Sequence, residues 1–137
     1  MVILALGGND LKTYFNRKPE DIRDGLVELI DIIQTSQYGK YLQAAPEILI
    51  LTSPIPLDIA EKYIDENGIS VFEGAIEKAK HLINLYEKAS KEKKCYFLDN
   101  SKIISPSSID GLHFDEITHK KLAQIIYEKI TEIFLDK

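Results

Sequence analysis

The chain has 137 residues, 45% hydrophobic and 28% charged, with seven Gly, five Pro and a formal charge of −5. That length suits one domain and excludes a second independent one, and the composition is that of a globular protein, neither disordered nor collagenous. The acidic balance, with a pI near 5.2, leaves no electrostatic footprint for nucleic acid or an anionic membrane. The longest apolar runs, Met1 to Leu6 and Ile48 to Leu51, are far shorter than the roughly 18 residues that span a bilayer, and no charged leader precedes them. A lone Cys95 forms no internal disulfide and no Cys-ligated zinc site. A soluble, cytoplasmic protein is the expectation.

Val2-Ile3-Leu4-Ala5-Leu6 is a continuous apolar run, which is how a strand buried on both faces of a parallel sheet reads. Gly7-Gly8-Asn9-Asp10 ends it as a turn. From Pro19, Glu20 and Asp21 the positions Ile22, Leu26, Leu29, Ile30 and Ile33 recur at the helical period, and Gly39 closes the segment. Ile48 to Leu51 is a second buried strand, ended by Thr52-Ser53-Pro54-Ile55-Pro56. Residues 57 to 69 suit a short helix or a lid. Ser70-Val71-Phe72-Glu73 has the spacing of a capping box, leading into a helix through Ala75, Ala79, Leu82, Ile83 and Tyr86 and a basic end at Lys88 to Lys94. Cys95 to Leu98 is a third strand. After a polar loop, Ile117, Leu122, Ile126, Ile130 and Ile133 mark a last helix.

The order β-α-β-α-β-α implies right-handed crossovers and a parallel sheet covered by helices. An apolar strand at the start of such a sheet is either a hazardous edge or a strand whose neighbour is missing from these residues, and the second reading is preferred because native chains blunt apolar edges. The neighbour would be a missing N-terminal segment or a second copy of the chain pairing with Val2 to Leu6.

Function in open α/β sheets collects at the carboxyl ends of strands. There Asp110-Gly111-Leu112-His113 places a carboxylate three residues before an imidazole, which can orient the ring and stabilise its charged form. The bland alternative is a solvated turn. Asn9 reads as turn chemistry or as an amide donor aimed at an oxyanion. A metal set of His113, His119 and Asp115 matches no strong spacing, His81 suits a surface position, and Cys95 suits the core.

Gly7-Gly8-Asn9-Asp10 after a buried strand and Asp110-Gly111-Leu112-His113 before the last helix resemble the third and fifth conserved blocks of the SGNH (GDSL-type) hydrolases. Gly8 to Phe15, Ser53-Pro54-Ile55-Pro56, Phe72-Glu73-Gly74 and Asp110 to Phe114 resemble the arylesterase and acyltransferase (perhydrolase-like) branch over nearly the whole chain. The resemblance implies a flavodoxin-like α/β/α fold of strand order 2-1-3-4-5, of which these residues supply strands 3, 4 and 5 as a partial domain. It implies a serine ester hydrolase acting on small esters through an acyl-enzyme, with no cofactor and no metal. Asp110 becomes the triad acid, His113 the base, Asn9 the oxyanion donor, and Gly7 the glycine that lets the backbone approach. The Gly-Asp-Ser block is absent, Ser53, Ser105, Ser107 and Ser108 lie in the wrong context to replace it, and the chain alone is expected to be inactive. The alternative is a non-catalytic module that assembles through its first strand.

Overall fold

A computed structural model describes residues 1–135. Three parallel strands, β1 (Val2–Leu4), β2 (Ile48–Leu51) and β3 (Tyr96–Leu98), form one sheet in the order β1-β2-β3. Val2 pairs with Ile48 and Leu4 with Ile50, while Leu49 pairs with Tyr96 and Leu51 with Leu98. The helices are α1 (Pro19–Gln34), the short α2 (Asp58–Glu61), α3 (Ala75–Glu92) and α4 (Glu116–Leu135).

The layers follow from strand alternation. Leu4, Ile48 and Ile50 meet Ile22, Leu26 and Ile30 of α1 and Leu82 and Tyr86 of α3 on one face. On the other, Leu49 and Leu51 meet Ile133, with Ile126 and Ile130 beside it. All four residues of β2 are buried, as a two-faced run requires. A third cluster, Leu11, Val71, Phe72, Ala75 and Ala79, lies beneath the strand-end loops.

Several sequence expectations need correcting. The first strand ends at Leu4, and it is not buried on both faces: Ile3 is 40% and Leu6 45% exposed. Ile3 sits in register with Leu49 and therefore faces the α4 layer, but α4 packs on β2 and β3 and leaves β1 open. Leu29 is likewise exposed at 40%, because α1 buries the narrower stripe Ile22, Leu26 and Ile30. This helix ends at Gln34, short of Gly39. The capping box at Ser70 does not form. Ser70 instead pairs with Ile64 in an antiparallel bridge, and α3 starts after Gly74, whose φ of +71° breaks the path from Ser70. Ile117 stands exposed on the first turn of α4. Residues 57 to 69 hold both α2 and a turn built on Asp65, whose carboxylate accepts from the amides of Asn67 and Ile69.

No helix among the described residues is long and apolar enough to cross a membrane.

Candidate functional site

The loops after all three strands are bound to one another. The Ser53 hydroxyl donates to the Leu6 carbonyl at 3.1 Å, joining the first loop to the second. Buried Thr52 donates to Asn100 Oδ1 at 2.8 Å and accepts from the Asn100 amide at 3.1 Å, joining the ends of β2 and β3. The Leu57 amide donates to the Gly111 carbonyl at 2.9 Å, tying the third loop to the second.

Asp110 is held from three directions. Its Oδ1 accepts from the amides of Leu112 and His113 at 2.9 and 3.0 Å, and its Oδ2 lies 2.7 Å from His113 Nδ1. The imidazole bond first, and the two amides after it, hold this carboxyl down at about 2, so it is ionised at neutral pH. The pair is exposed, with 42% of the Asp110 and 83% of the His113 side chain open to solvent. His113 Nε2 has no partner among the described residues. The arrangement can therefore fix the proton on Nδ1 and present Nε2 as a base.

Gly111 makes this turn possible. Its φ is +71°, and a Cβ there would stand 2.6 Å from Ile59 Cγ2 and 3.1 Å from the Ala60 nitrogen. The loop between the acid and the imidazole thus rests directly on α2.

Asn9 opens a single 3-10 turn, Asn9–Leu11, and its side-chain amide is unengaged among the described residues. Together with Gly8 it lines a cleft of about 490 Å³ that Leu112 and His113 also line. Gly7 takes φ +99°, and a Cβ there would lie 2.6 Å from the Tyr86 hydroxyl, which donates to the Leu6 carbonyl at 3.4 Å. Its bareness serves the approach of α3 to the strand end.

Sequence reading missed the part of the cleft lined by Tyr14 and Asp65. The Tyr14 hydroxyl donates to the Asp65 carboxylate, and Thr13 binds the carbonyls of Val71 and Ser70, so the loop after β1 is latched to the segment before α3. Hydrogen bonding to Asp65 pushes the Tyr14 hydroxyl up to about 12, and the same bond lowers Asp65. A signal did exist, since Asp65-Glu66-Asn67-Gly68 is a turn sequence, but nothing local announces its partner.

The other candidates fall outside this cleft. His119 packs edge-on against Phe114, with ring centroids 5.7 Å apart, and Asp115 Oδ1 accepts from the Thr118 amide at the start of α4. No group of three or more His, Cys, Asp or Glu among the described residues could hold a metal ion. His81 is on the surface of α3, 3.5 Å from Glu20. Half-buried Cys95 has its thiol pushed up by desolvation, the opposite of an activated nucleophile. Ser107 Oγ accepts from the Ile109 amide, and no described serine hydroxyl is hydrogen-bonded to the His113 ring.

No protein-family model matches the chain. No curated protein matches it either. Among solved structures, it is similar to a carbohydrate acetylesterase from Sinorhizobium meliloti, at 31% identity and a TM-score of 0.84 over 96% of this chain and 60% of that one. The native aryl esterase of M. smegmatis matches at 30% identity and a TM-score of 0.82, again over 96% of this chain and 60% of that one. The chain thus spans about 60% of the length of the structures it matches. Its parallel sheet, its strand-end loops and these matches make the chain a partial SGNH-type hydrolase, akin to aryl esterases and carbohydrate acetylesterases.

Proposed function

We propose that these residues form the acid, base and oxyanion portion of a serine ester hydrolase acting on small acyl esters. The observation that carries this reading is the Asp110–His113 hydrogen bond of 2.7 Å, with Nε2 free and Asn9 lining the same cleft. In this mechanism a serine oxygen attacks the ester carbonyl while His113 Nε2 takes its proton, and Asp110 stabilises the imidazolium. The carbonyl oxygen, now an oxyanion, accepts from the Asn9 amide. The alkoxide or phenolate leaves with the proton from His113, and water or another acceptor then removes the acyl group by the same steps in reverse roles. The nucleophile comes from outside these 137 residues, on a strand that pairs with the open side of β1.

The similarity to an aryl esterase and a carbohydrate acetylesterase supports the reaction class. The test uses the chain by itself: with 4-nitrophenyl acetate it releases nitrophenolate at no more than a trace above background, and a serine-directed organophosphate labels nothing. Turnover that survives the organophosphate, or a labelled serine within the chain, refutes the assignment of the nucleophile.

The second reading, a non-catalytic module that assembles through its first strand, has its own observation in the exposed Ile3 of β1 and Leu6 just after it. It has no use for the held imidazole, and we rank it second for that reason.

A further inference from the structure

Beside the His113 cleft lies a second cleft of about 450 Å³, and the two share Tyr63, Phe72 and Leu112 as a common ridge. Its other lining residues are Ile59, Lys62, Ile109 and Asp110. Ile109 is 86% exposed and Ile59 47%, an unusual outlay of β-branched hydrocarbon on a loop and a one-turn helix next to a candidate active site.

The polar demand of this second cleft is nearly met already. Asp110 supplies its one carboxylate, and both oxygens of that group are bound, one by two amides and one by the imidazole. What remains polar is the Lys62 ammonium and the Tyr63 hydroxyl. A hydroxyl-rich ligand would find few partners among these side chains, whereas a hydrocarbon chain would cover Ile59 and Ile109 and remove their surface from water.

We propose that the second cleft is an apolar subsite for the hydrocarbon part of the ester, so that the substrate class is esters carrying a chain longer than acetyl. The proposal rests on His113 being the base of the ester-cleaving site, and it extends that reading from reaction to specificity. The chain belongs to the acyl side or to the alcohol side of the ester, and the shared chemistry is an unbranched alkyl group reaching from the carbonyl at His113 over the Leu112 ridge to Ile109.

The test is a titration of the 137-residue chain, methyl-labelled at Ile and Leu and ring-labelled at His, with methyl acetate, methyl hexanoate and hexyl acetate, followed by NMR. Either six-carbon ester shifts the Ile59 and Ile109 methyls together with Leu112 and the His113 ring, and binds at least tenfold tighter than methyl acetate. Methyl hexanoate gaining alone assigns the acyl side, and hexyl acetate gaining alone assigns the alcohol side. Ile109→Asn, a change on an exposed loop, cuts the gain to below threefold and leaves methyl acetate unaffected. Six-carbon esters that move His113 and Leu112 but not Ile59 or Ile109, with no gain over methyl acetate, overturn the subsite and leave the base assignment standing. Esters that move neither His113 nor Leu112 overturn both.

Discussion

Two glycines share a φ of +71° but not a surrounding, and the difference isolates what holds the Asp110–His113 turn. At Gly74 a Cβ would meet nothing within 4 Å, whereas at Gly111 it would meet Ile59 at 2.6 Å and Leu57 and the Ala60 backbone at 3.1 Å. Alanine at either position must adopt left-handed backbone, at about 1–2 kcal/mol. Gly111→Ala adds an overlap with α2 of the kind that costs about 1–3 kcal/mol in a packed interior. Gly74→Ala should therefore lower stability by about 1–2 kcal/mol and Gly111→Ala by about 2–5 kcal/mol, read from urea midpoints at constant slope. The loop can relieve part of the overlap by lifting from α2, which breaks the Leu57 amide bond to Gly111 and displaces His113. Nitrogen-15 spectra of the His113 ring should accordingly change in Gly111→Ala and stay as they are in Gly74→Ala. Equal destabilisation by the two substitutions, with both His113 spectra unchanged, would refute the claim that packing on α2 sets the turn.

Two further expectations concern pH and assembly. Asp110 is depressed to about 2, so its contribution to loop order is complete above the usual aspartate range and is lost as pH falls through about 2; a carboxyl carbon titration should find that midpoint, and an ordinary aspartate midpoint would mean the imidazole and amides do not hold it. We also propose that the open side of β1 is paired, either by a strand on an N-terminal segment or by the same strand of a second copy to give a six-stranded sheet. Sedimentation of the 137-residue chain should find a dimer with protected Val2 to Leu6 amides that Ile3→Lys dissociates or precipitates, and a stable monomer with freely exchanging amides would count against self-pairing.

The legible parts of the fold are those where a local pattern and the final packing ask for the same thing. Ile48 to Leu51 reads as a two-faced buried strand and is one, since both layers close over it. The Ala75, Ala79, Leu82 and Tyr86 stripe reads as the inner face of a helix and is buried as such. Exposure at Leu29 and Ile3 was not legible, because a periodic pattern says which face is apolar and not whether anything covers it. Ser70 and Glu73 were misread for a related reason: the spacing of a cap was present, but a β-bridge to Ile64 took the Ser70 backbone and Gly74 placed the helix start four residues later. At the candidate site, the contact between Asp110 and His113 was legible because a spacing of three residues on one loop suffices to bring them together. The Tyr14–Asp65 latch joins residues 51 apart through exposed side chains, and no local rule reaches that far.

We have proposed that His113, oriented by Asp110, is the proton acceptor of an ester-cleaving site. Its most direct test is kcat/KM for 4-nitrophenyl acetate in the chain fused to a Gly-Asp-Ser strand segment, with His113→Ala measured beside it. Serine-dependent turnover is expected, and His113→Ala should lower it by about a thousandfold or more. Turnover that is equally fast without the imidazole would contradict it.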